Sequence, residues 1–466
     1  MVEQRTLITG GTVVSMDPSI GILDQGDVLI VDDRIAQIDH RIDAPDAEVI
    51  DATNMIVSPG YVDTHRHIWQ TQLRTVATDW SLFDYFVQMR SIYSGFYNPE
   101  DAYLGNHIGA LEALNAGITT IVDHCHILNS PDHSDEAVRG LDEAGIRGIF
   151  CYGLFENPPN WTATELNLAE GWRQEDARRL RSTRFSSDDD RLVFGFAPTE
   201  VTATDFDTTC AEIAFARELS ARRISCHVSM GSYDQGLELV RRFGEAGILA
   251  DDLLFVHGAT LTDEELKWMA DTGAAVSATP ETELQMAMGH PVAVRASQAG
   301  VRTSLGIDIV SNYSGDMQAQ MRLLLQAQRG VENSQLNGPL KEVRFKAREV
   351  LDMATMGGAT ALGWDSRIGS LTPGKQADLI MTSCSSINMV PCIDPVGALV
   401  LNANAADVDS VFVAGKRVKK DGQLIDVNWP HLATQLRQSS QRIVDGFHSI
   451  DRKAIETAAG AMFGFS

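Results

Sequence analysis

Two hydrophobic patterns divide this chain. Up to about residue 58 the apolar positions come in short β-branched runs: Leu7-Ile8-Thr9, Thr12-Val13-Val14, Val28-Leu29-Ile30-Val31 and Ile35-Ala36-Gln37-Ile38, broken by Gly, Asp and Asn. Asp32-Asp33, between two of these runs, reads as a hairpin turn. From about residue 60 to 364 the runs are separated by helical stretches, such as Ala102–Ala116, Asp135–Ala144 and Thr208–Leu219. Eight strand-like runs fall there: Tyr61–Thr64, Thr119–Val122, Gly148–Phe150, Leu192–Phe196, Ile224–Cys226, Leu253–Val256, Ala274–Ser277 and Thr303–Gly306. Strands alternating with helices build parallel sheet, and eight such units in this length fit a closed barrel better than an open sheet.

After Gly363 the β pattern returns in Ala377–Met381 and Val408–Ala414, with Ala414-Gly415-Lys416 turning into Arg417-Val418. The expectation is an α/β chain with a (β/α)8 TIM barrel over residues 60–364. A β-sandwich composed of residues 1–59 and 365–425 flanks the barrel, and a helical extension covers 426–466 (Leu432–Phe447, then Lys453–Met462).

Charge and composition narrow the class. The 38 Lys and Arg against 63 Asp and Glu leave a formal charge of −25, which argues against nucleic acid or an anionic membrane as partner. No apolar run approaches the ~18–20 residues of a membrane helix, and Met1-Val-Glu-Gln-Arg-Thr6 does not open a secretory signal. The six cysteines form no Cys-x-x-Cys pair, so reduced thiols in a cytoplasmic protein are expected, with neither a disulfide framework nor a thiolate metal site.

Active-site groups of a parallel barrel sit where its strands end. His65 and His67 end the first run, and residues two apart on a strand face the same way. His227 ends the fifth run, His257 the sixth and Asp308 the eighth. One H-x-H is weak evidence, but five metal-competent groups at four strand ends on one barrel face are a site. His65, His67, His227 and Asp308 are read as ligands of one divalent ion. Zinc is the first choice, and iron(II), cobalt or manganese also suit the donor set. Water at the open position would have its pKa lowered to ~7 from roughly 15.7 and attack a polarised carbon. Asp308 would take its proton and return it to the leaving group, and His257 would hydrogen-bond the water or the developing oxyanion. His257 satisfying backbone groups, or binding a second metal, are the other readings. The fourth run ends in Ala197-Pro198-Thr199-Glu200 without the lysine that a carbamate-bridged metal pair needs.

With these residues set out, the chain resembles the amidohydrolase superfamily, in the branch of cytosine deaminase, guanine deaminase and the triazine hydrolases. The resemblance runs through Val57-Ser-Pro-Gly-Tyr-Val-Asp-Thr-His-Arg-His67, Gly117-Ile-Thr-Thr-Ile-Val-Asp123, the positions of His227, His257 and Asp308, Gly369-Ser-Leu-Thr-Pro-Gly-Lys-Gln-Ala-Asp-Leu379, and Val413-Ala-Gly-Lys416. It implies the same mononuclear ligand set, with His257 beside the catalytic water.

Two departures bear on substrate. Deaminases of this branch carry His-x-x-Glu after the fifth strand, where the glutamate shuttles a proton to the ring nitrogen. Here the spacing gives His227-Val-Ser-Met230. Where the family commonly ends its seventh strand in His-Cys-Pro-x-Ser-Asn, this chain has Ala278-Thr-Pro-Glu-Thr-Glu283. Glu281 and Glu283 either replace the lost carboxylate in part or are solvated loop charge. The expected activity is therefore hydrolysis of a carbon–nitrogen bond in a small, largely uncharged amide, urea, carbamate or N-heterocycle. The alternatives are an aminohydrolase of a purine, pyrimidine, pterin or triazine, and a non-catalytic metal-binding barrel. Gln70, Trp69, Met230, Glu281, His290 and Asn312 are candidates for substrate contact, Asn312 also as an orienter of Asp308. His124 and His126 read as substrate-side or structural. Such barrels often assemble, so a homo-oligomer is expected.

Overall fold

The computed structural model describes residues 3–157, 168–234, 236–453 and 455–457. All eight expected runs are strands: Tyr61–Arg66, Ile118–Cys125, Arg147–Gly153, Leu192–Ala197, Ile224–Val228, Leu253–His257, Ala275–Ala278 and Arg302–Leu305. They pair in parallel and in sequence order in one eight-stranded sheet. The fourth and fifth strands meet only where Phe196 pairs with Ile224, so their outer ends part. The sheet closes on itself between the first strand and the segment after the eighth, through a parallel bridge of Arg66 with Asp308. Asp308 N donates to His65 O at 2.8 Å and His67 N to Asp308 O at 2.7 Å. Asp63 reinforces the seam: its Oδ1 accepts from Ile307 N at 2.9 Å. Inside the barrel the Thr64 hydroxyl meets those of Ser277 and Ser304 at 2.7 and 2.8 Å and donates to Leu305 O at 2.9 Å, so its buried polar atom is paired.

The two terminal segments pair as expected, in one continuous nine-stranded mixed sheet. Its joint is the antiparallel ladder between Met55–Pro59 and Leu379–Ser383. Ile8, Val13, Val28, Ile30, Leu379, Met381 and Phe412 share its core. Asp32-Asp33 does connect Ile22–Val31 to Arg34–Asp39. The second hairpin turns at Ala414 and Gly415, both with positive φ, and a Cβ on Gly415 would lie 2.0 Å from Asp32 O, so only glycine lets the two hairpins touch.

Met55–Pro59 runs straight into the first barrel strand through Gly60, where a Cβ would sit 2.2 Å from Thr119 Oγ1. The strand that carries His65 and His67 is thus anchored on the outer sheet. A second joint ties the two bodies: Arg147 of the third barrel strand donates to Asp378 Oδ2 at 2.5 Å and to Gln376 Oε1 at 2.9 Å. Asp378 Oδ1 also accepts from Ala414 N at 2.6 Å, which accounts for the Lys-Gln-Ala-Asp motif.

A helix over Trp429–Ser449 packs back on the barrel. Phe447 stacks on Tyr93 with ring centroids 4.1 Å apart. Ser439 and Arg442 both reach Asp101, whose carboxylate also closes the capping box of the helix Pro99–Asn115. Of the helix expected over Lys453–Met462, residues 454 and 458–462 lie outside the described residues. No helix among the described residues is long and apolar enough to cross a membrane.

Arg147 and Asp378 are both buried, so removing one partner strands the other's charge. Arg147→Met is expected to cost about 3–5 kcal/mol in urea unfolding, and Arg147→Met with Asp378→Leu to recover most of the loss. Equal stability of the single variant and the wild type would contradict this joint.

Candidate active site

The strand-end residues converge. His65 lies in the first strand and His67 just past it. His227 is in the fifth strand, His257 ends the sixth, and Asp308 follows the eighth. All five side chains are buried. His65 Nε2 stands 3.3 Å from Asp308 Oδ1 and 3.3 Å from His227 Nε2, and His67 Nε2 stands 3.4 Å from the same Asp308 oxygen.

The outer ring nitrogens are fixed by their partners. His67 Nδ1 faces the carbonyl of His124 at 2.9 Å, so it carries the proton and its Nε2 lone pair points inward. His227 Nδ1 bonds Glu200 Oε2 at 3.0 Å with the same consequence. Burial lowers His65 to about 4 and His67 well below its usual value, so both imidazoles are neutral and free to ligate. Burial alone would raise Asp308, but the His65 hydrogen bond and the fields of His257, His65 and His67 hold it below the ordinary carboxylate range.

Donor atoms of His65, His67 and His227 all lie within 4.8 Å of one another, a spacing that can hold a metal ion. Donors about 2.0–2.1 Å from a tetrahedral ion stand about 3.3–3.4 Å apart, the separation found between His65 and Asp308, His65 and His227, and His67 and Asp308, at 3.3, 3.3 and 3.4 Å. The inward-facing Nε2 lone pairs of His67 and His227, beside the Asp308 carboxylate, suit a cation. The residues fit a divalent ion.

Two of these residues hold unusual backbone. His257 has φ 73° and Asp308 φ 69°, the left-handed region that costs a non-glycine residue of order 1–3 kcal/mol. The surroundings keep them there. His257 Nδ1 bonds Thr279 Oγ1 at 3.0 Å, with Glu283 Oε1 at 3.8 Å. Burial opposes charge on His257, yet Glu283 and Asp308 together lift its pKa above the usual value.

Around this cluster lies a cavity lined by His67, His126, Glu200, His227, His257 and Asp308 on its polar side. Leu82, Phe86, Met230, Met286, Met288 and Ile309 line its apolar side, together with Tyr85, Arg90 and Thr282. Met230 therefore faces the cavity, as do Met286 and Met288. The other substrate candidates stand elsewhere. Trp69 and Gln70 are in a fully buried turn, Ile68–Leu73. Trp69 Nε1 donates to His126 Nδ1 at 2.9 Å, and Gln70 Nε2 to the Tyr85 hydroxyl at 2.6 Å, so they back cavity residues. Glu281 exchanges hydrogen bonds with Gln320 outside the cavity, and burial lifts it to about 7. Glu283 is buried behind His257 and accepts from Thr279 N at 2.8 Å, so neither acid lines the cavity. His290 bonds Gln328 at 3.0 Å, and Asn312 accepts from Gln285. Gln285 belongs to the short helix after the seventh strand, and no hydrogen bond between Asn312 and Asp308 is found among the described residues. His124 stacks on His227 with centroids 4.5 Å apart and bonds Ser225 at 3.0 Å, and His126 stacks on His67 at 4.2 Å.

Glu200, Tyr85 and Arg90 complete the cavity and were not among the expected contacts. Glu200 had a signal: it stands three residues past the fourth strand. Tyr85 and Arg90 had none, because they come from an irregular turn after the first strand.

The model of the amidohydrolase family matches residues 56–418. The chain is 29% identical over 433 residues to the 5'-deoxyadenosine deaminase of Methanothermobacter thermautotrophicus, covering 91% of this chain and 95% of that one. Among solved structures, an adenosine deaminase from Xanthomonas campestris with bound zinc aligns with a TM-score of 0.83 at 25% identity, over 94% of this chain and 98% of that one. The fold is also that of the atrazine chlorohydrolase of Arthrobacter aurescens complexed with zinc (TM-score 0.80, 21% identity, 93% and 100% covered). On the family match, joined to the donor cluster at the barrel's strand ends, the chain belongs to the amidohydrolase family as a hydrolase of carbon–nitrogen bonds other than peptide bonds.

Proposed function

We propose that this enzyme hydrolyses a carbon–nitrogen bond in a small compound whose reacting group is an uncharged amide, urea, carbamate or N-heterocycle. One divalent ion, zinc foremost, would be held by His65, His67 and His227 together with the neighbouring Asp308 carboxylate. When bound, such an ion polarises the reacting group and lowers the pKa of adjacent water to about 7. Asp308 accepts the proton that the attacking water gives up and delivers it to the departing nitrogen. His257, backed by Thr279 and Glu283, donates to the oxyanion as it develops. Glu200 keeps the proton of His227 on Nδ1 and so keeps Nε2 directed inward. We take the protein to be a cytoplasmic homo-oligomer, its six cysteines all free.

The observation that carries this reading is Met230. It is buried in the cavity lining at the spacing where the related deaminases have a proton-carrying glutamate. Among the described residues only Asp308 and Glu200 put carboxylates on the cavity, and Glu200 is engaged by His227. A ring nitrogen that must be protonated separately from the leaving group finds no free carboxyl group there. A second reading, an aminohydrolase of a purine nucleoside, is supported by the names of the deaminases to which the chain is similar.

Assays that separate ammonia from organic amine, run across ureas, carbamates, amides and aminated heterocycles, divide the two readings. Turnover is expected on the first three classes and to be far weaker on adenosine-type compounds. Robust ammonia release from 5'-deoxyadenosine would favour the second reading. Met230→Glu is expected to raise activity on aminated heterocycles relative to the wild type. Asp308→Asn is expected to lower kcat at least about 100-fold. Glu200→Gln is expected to weaken zinc affinity by about 10–100-fold in competition with a chelator, at unchanged thermal stability. Unchanged affinity would remove Glu200 from the site's support.

A further inference from the structure

Arg90 is a charged cavity-lining side chain that the mechanism leaves unused. It is 3% exposed, although a guanidinium carries five donors and is rarely buried unpaired. Its one hydrogen bond to the protein among the described residues is a long one, from Nη1 to His126 O at 3.5 Å. Among the described residues Nη2 is buried with no acceptor and no carboxylate pairs with the group, although Tyr85 and Glu200 stand near enough to act on its charge. The guanidinium carbon sits 4.1 Å over the Phe155 ring, which holds its plane without satisfying its edge.

The backbone aims it. Ser81 caps a short helix with Asp84, and the chain then passes into a π-helical turn over Tyr85–Arg90, closed by Ser91 N donating to Phe86 O at 3.1 Å. In an α-helix, residues five apart point about 140° away from each other. The wider turn brings Tyr85 and Arg90 onto one side, and Tyr85, Phe86 and Arg90 all line the cavity. Such turns occur frequently at functional sites.

We propose that Arg90 anchors the substrate, and that the substrate carries a carboxylate or equivalent acidic oxygen pair that the guanidinium grips through two parallel hydrogen bonds. The inference rests on the reading above and narrows it: the reacting group is neutral, but the molecule is an anion. Charge supports it. A divalent ion offsets the Asp308 and Glu200 carboxylates, and Arg90 remains as surplus positive charge on the cavity. A glutamate at position 230 would cancel that surplus, whereas Met230 leaves it for the ligand. Arginine matches a carboxylate in shape as well as charge, which a neutral carbonyl does not.

The test uses zinc-loaded wild type, Arg90→Lys and Arg90→Met with matched pairs: N-carbamoylglycine against N-carbamoylglycinamide, N-acetylphenylalanine against its primary amide, and acetate against 2-propanol. Calorimetric Kd and, where there is turnover, KM and kcat are read for each. The wild type is expected to favour the acid by about 10–100-fold in Kd or KM for at least one pair. Arg90→Lys should keep part of that preference. Arg90→Met should abolish it. Binding of the carboxylate to zinc is common to all three proteins and cancels in the comparison. A purely structural Arg90 would lower thermal stability without moving the acid-to-neutral ratio. Should Arg90→Met not fold, the wild-type ratios and Arg90→Lys decide. Equal ratios in wild type and Arg90→Lys, or no acid preference in any pair, overturn the proposal. Turnover without acid preference leaves the chemistry standing and removes the anchor. An Arg90-dependent acid preference without turnover leaves the anchor and removes the chemistry.

Discussion

The seam that closes the barrel also builds the site. Asp308 N donates to His65 O, and His67 N donates to Asp308 O, so the backbone of one residue is held between two histidines. The same ladder sets the side-chain spacing: the Asp308 carboxylate is placed 3.3 and 3.4 Å from the two imidazoles. Asp63 strengthens the seam from within by accepting from Ile307 N. The positive φ of Asp308 is held there by this closure. A slip of one residue in that register would turn His65 and His67 to the wrong face together.

Precision at the donors depends on what lies behind them. His67 and His227 each give their outer proton to a fixed acceptor, the His124 carbonyl and Glu200. His257 leans on Thr279 and Glu283. The first strand itself is continuous with the outer sheet through Pro59 and Gly60, and the Arg147–Asp378 pair ties that sheet to the third strand. The outer sheet therefore acts as a clamp on the strand that carries the H-x-H pair.

Much of this was legible in the sequence, for a physical reason. Short apolar, β-branched runs separated by helical spacers announce a parallel barrel, and the barrel's own geometry then brings strand ends to one rim. His65, His67, His227, His257 and Asp308 could be gathered from that rule before any relative was considered. The loop residues could not. Gln70 reads as a loop side chain free to meet a ligand, and Trp69 reads equally as ligand contact or core, but both sit in a tight turn packed wholly inside the protein. Asn312 and His290 find helical partners instead, Gln285 and Gln328. Glu281 and Glu283 read alike in sequence, yet one pairs with Gln320 and the other is buried behind His257. Arg90 was invisible because its direction is set by a π turn, which no hydrophobic period announces.

The account stands on one ion gathered by four side chains from three parts of the barrel. X-ray absorption on the zinc-loaded protein, with His227→Ala as the comparison, measures this directly. It should report one ion per chain bound by about three imidazole nitrogens at roughly 2.0–2.1 Å and by carboxylate oxygen, with no sulfur, and the nitrogen number should fall by about one in the variant. A sulfur shell, a metal–metal scattering path, or a nitrogen shell unchanged by the loss of His227 would contradict it.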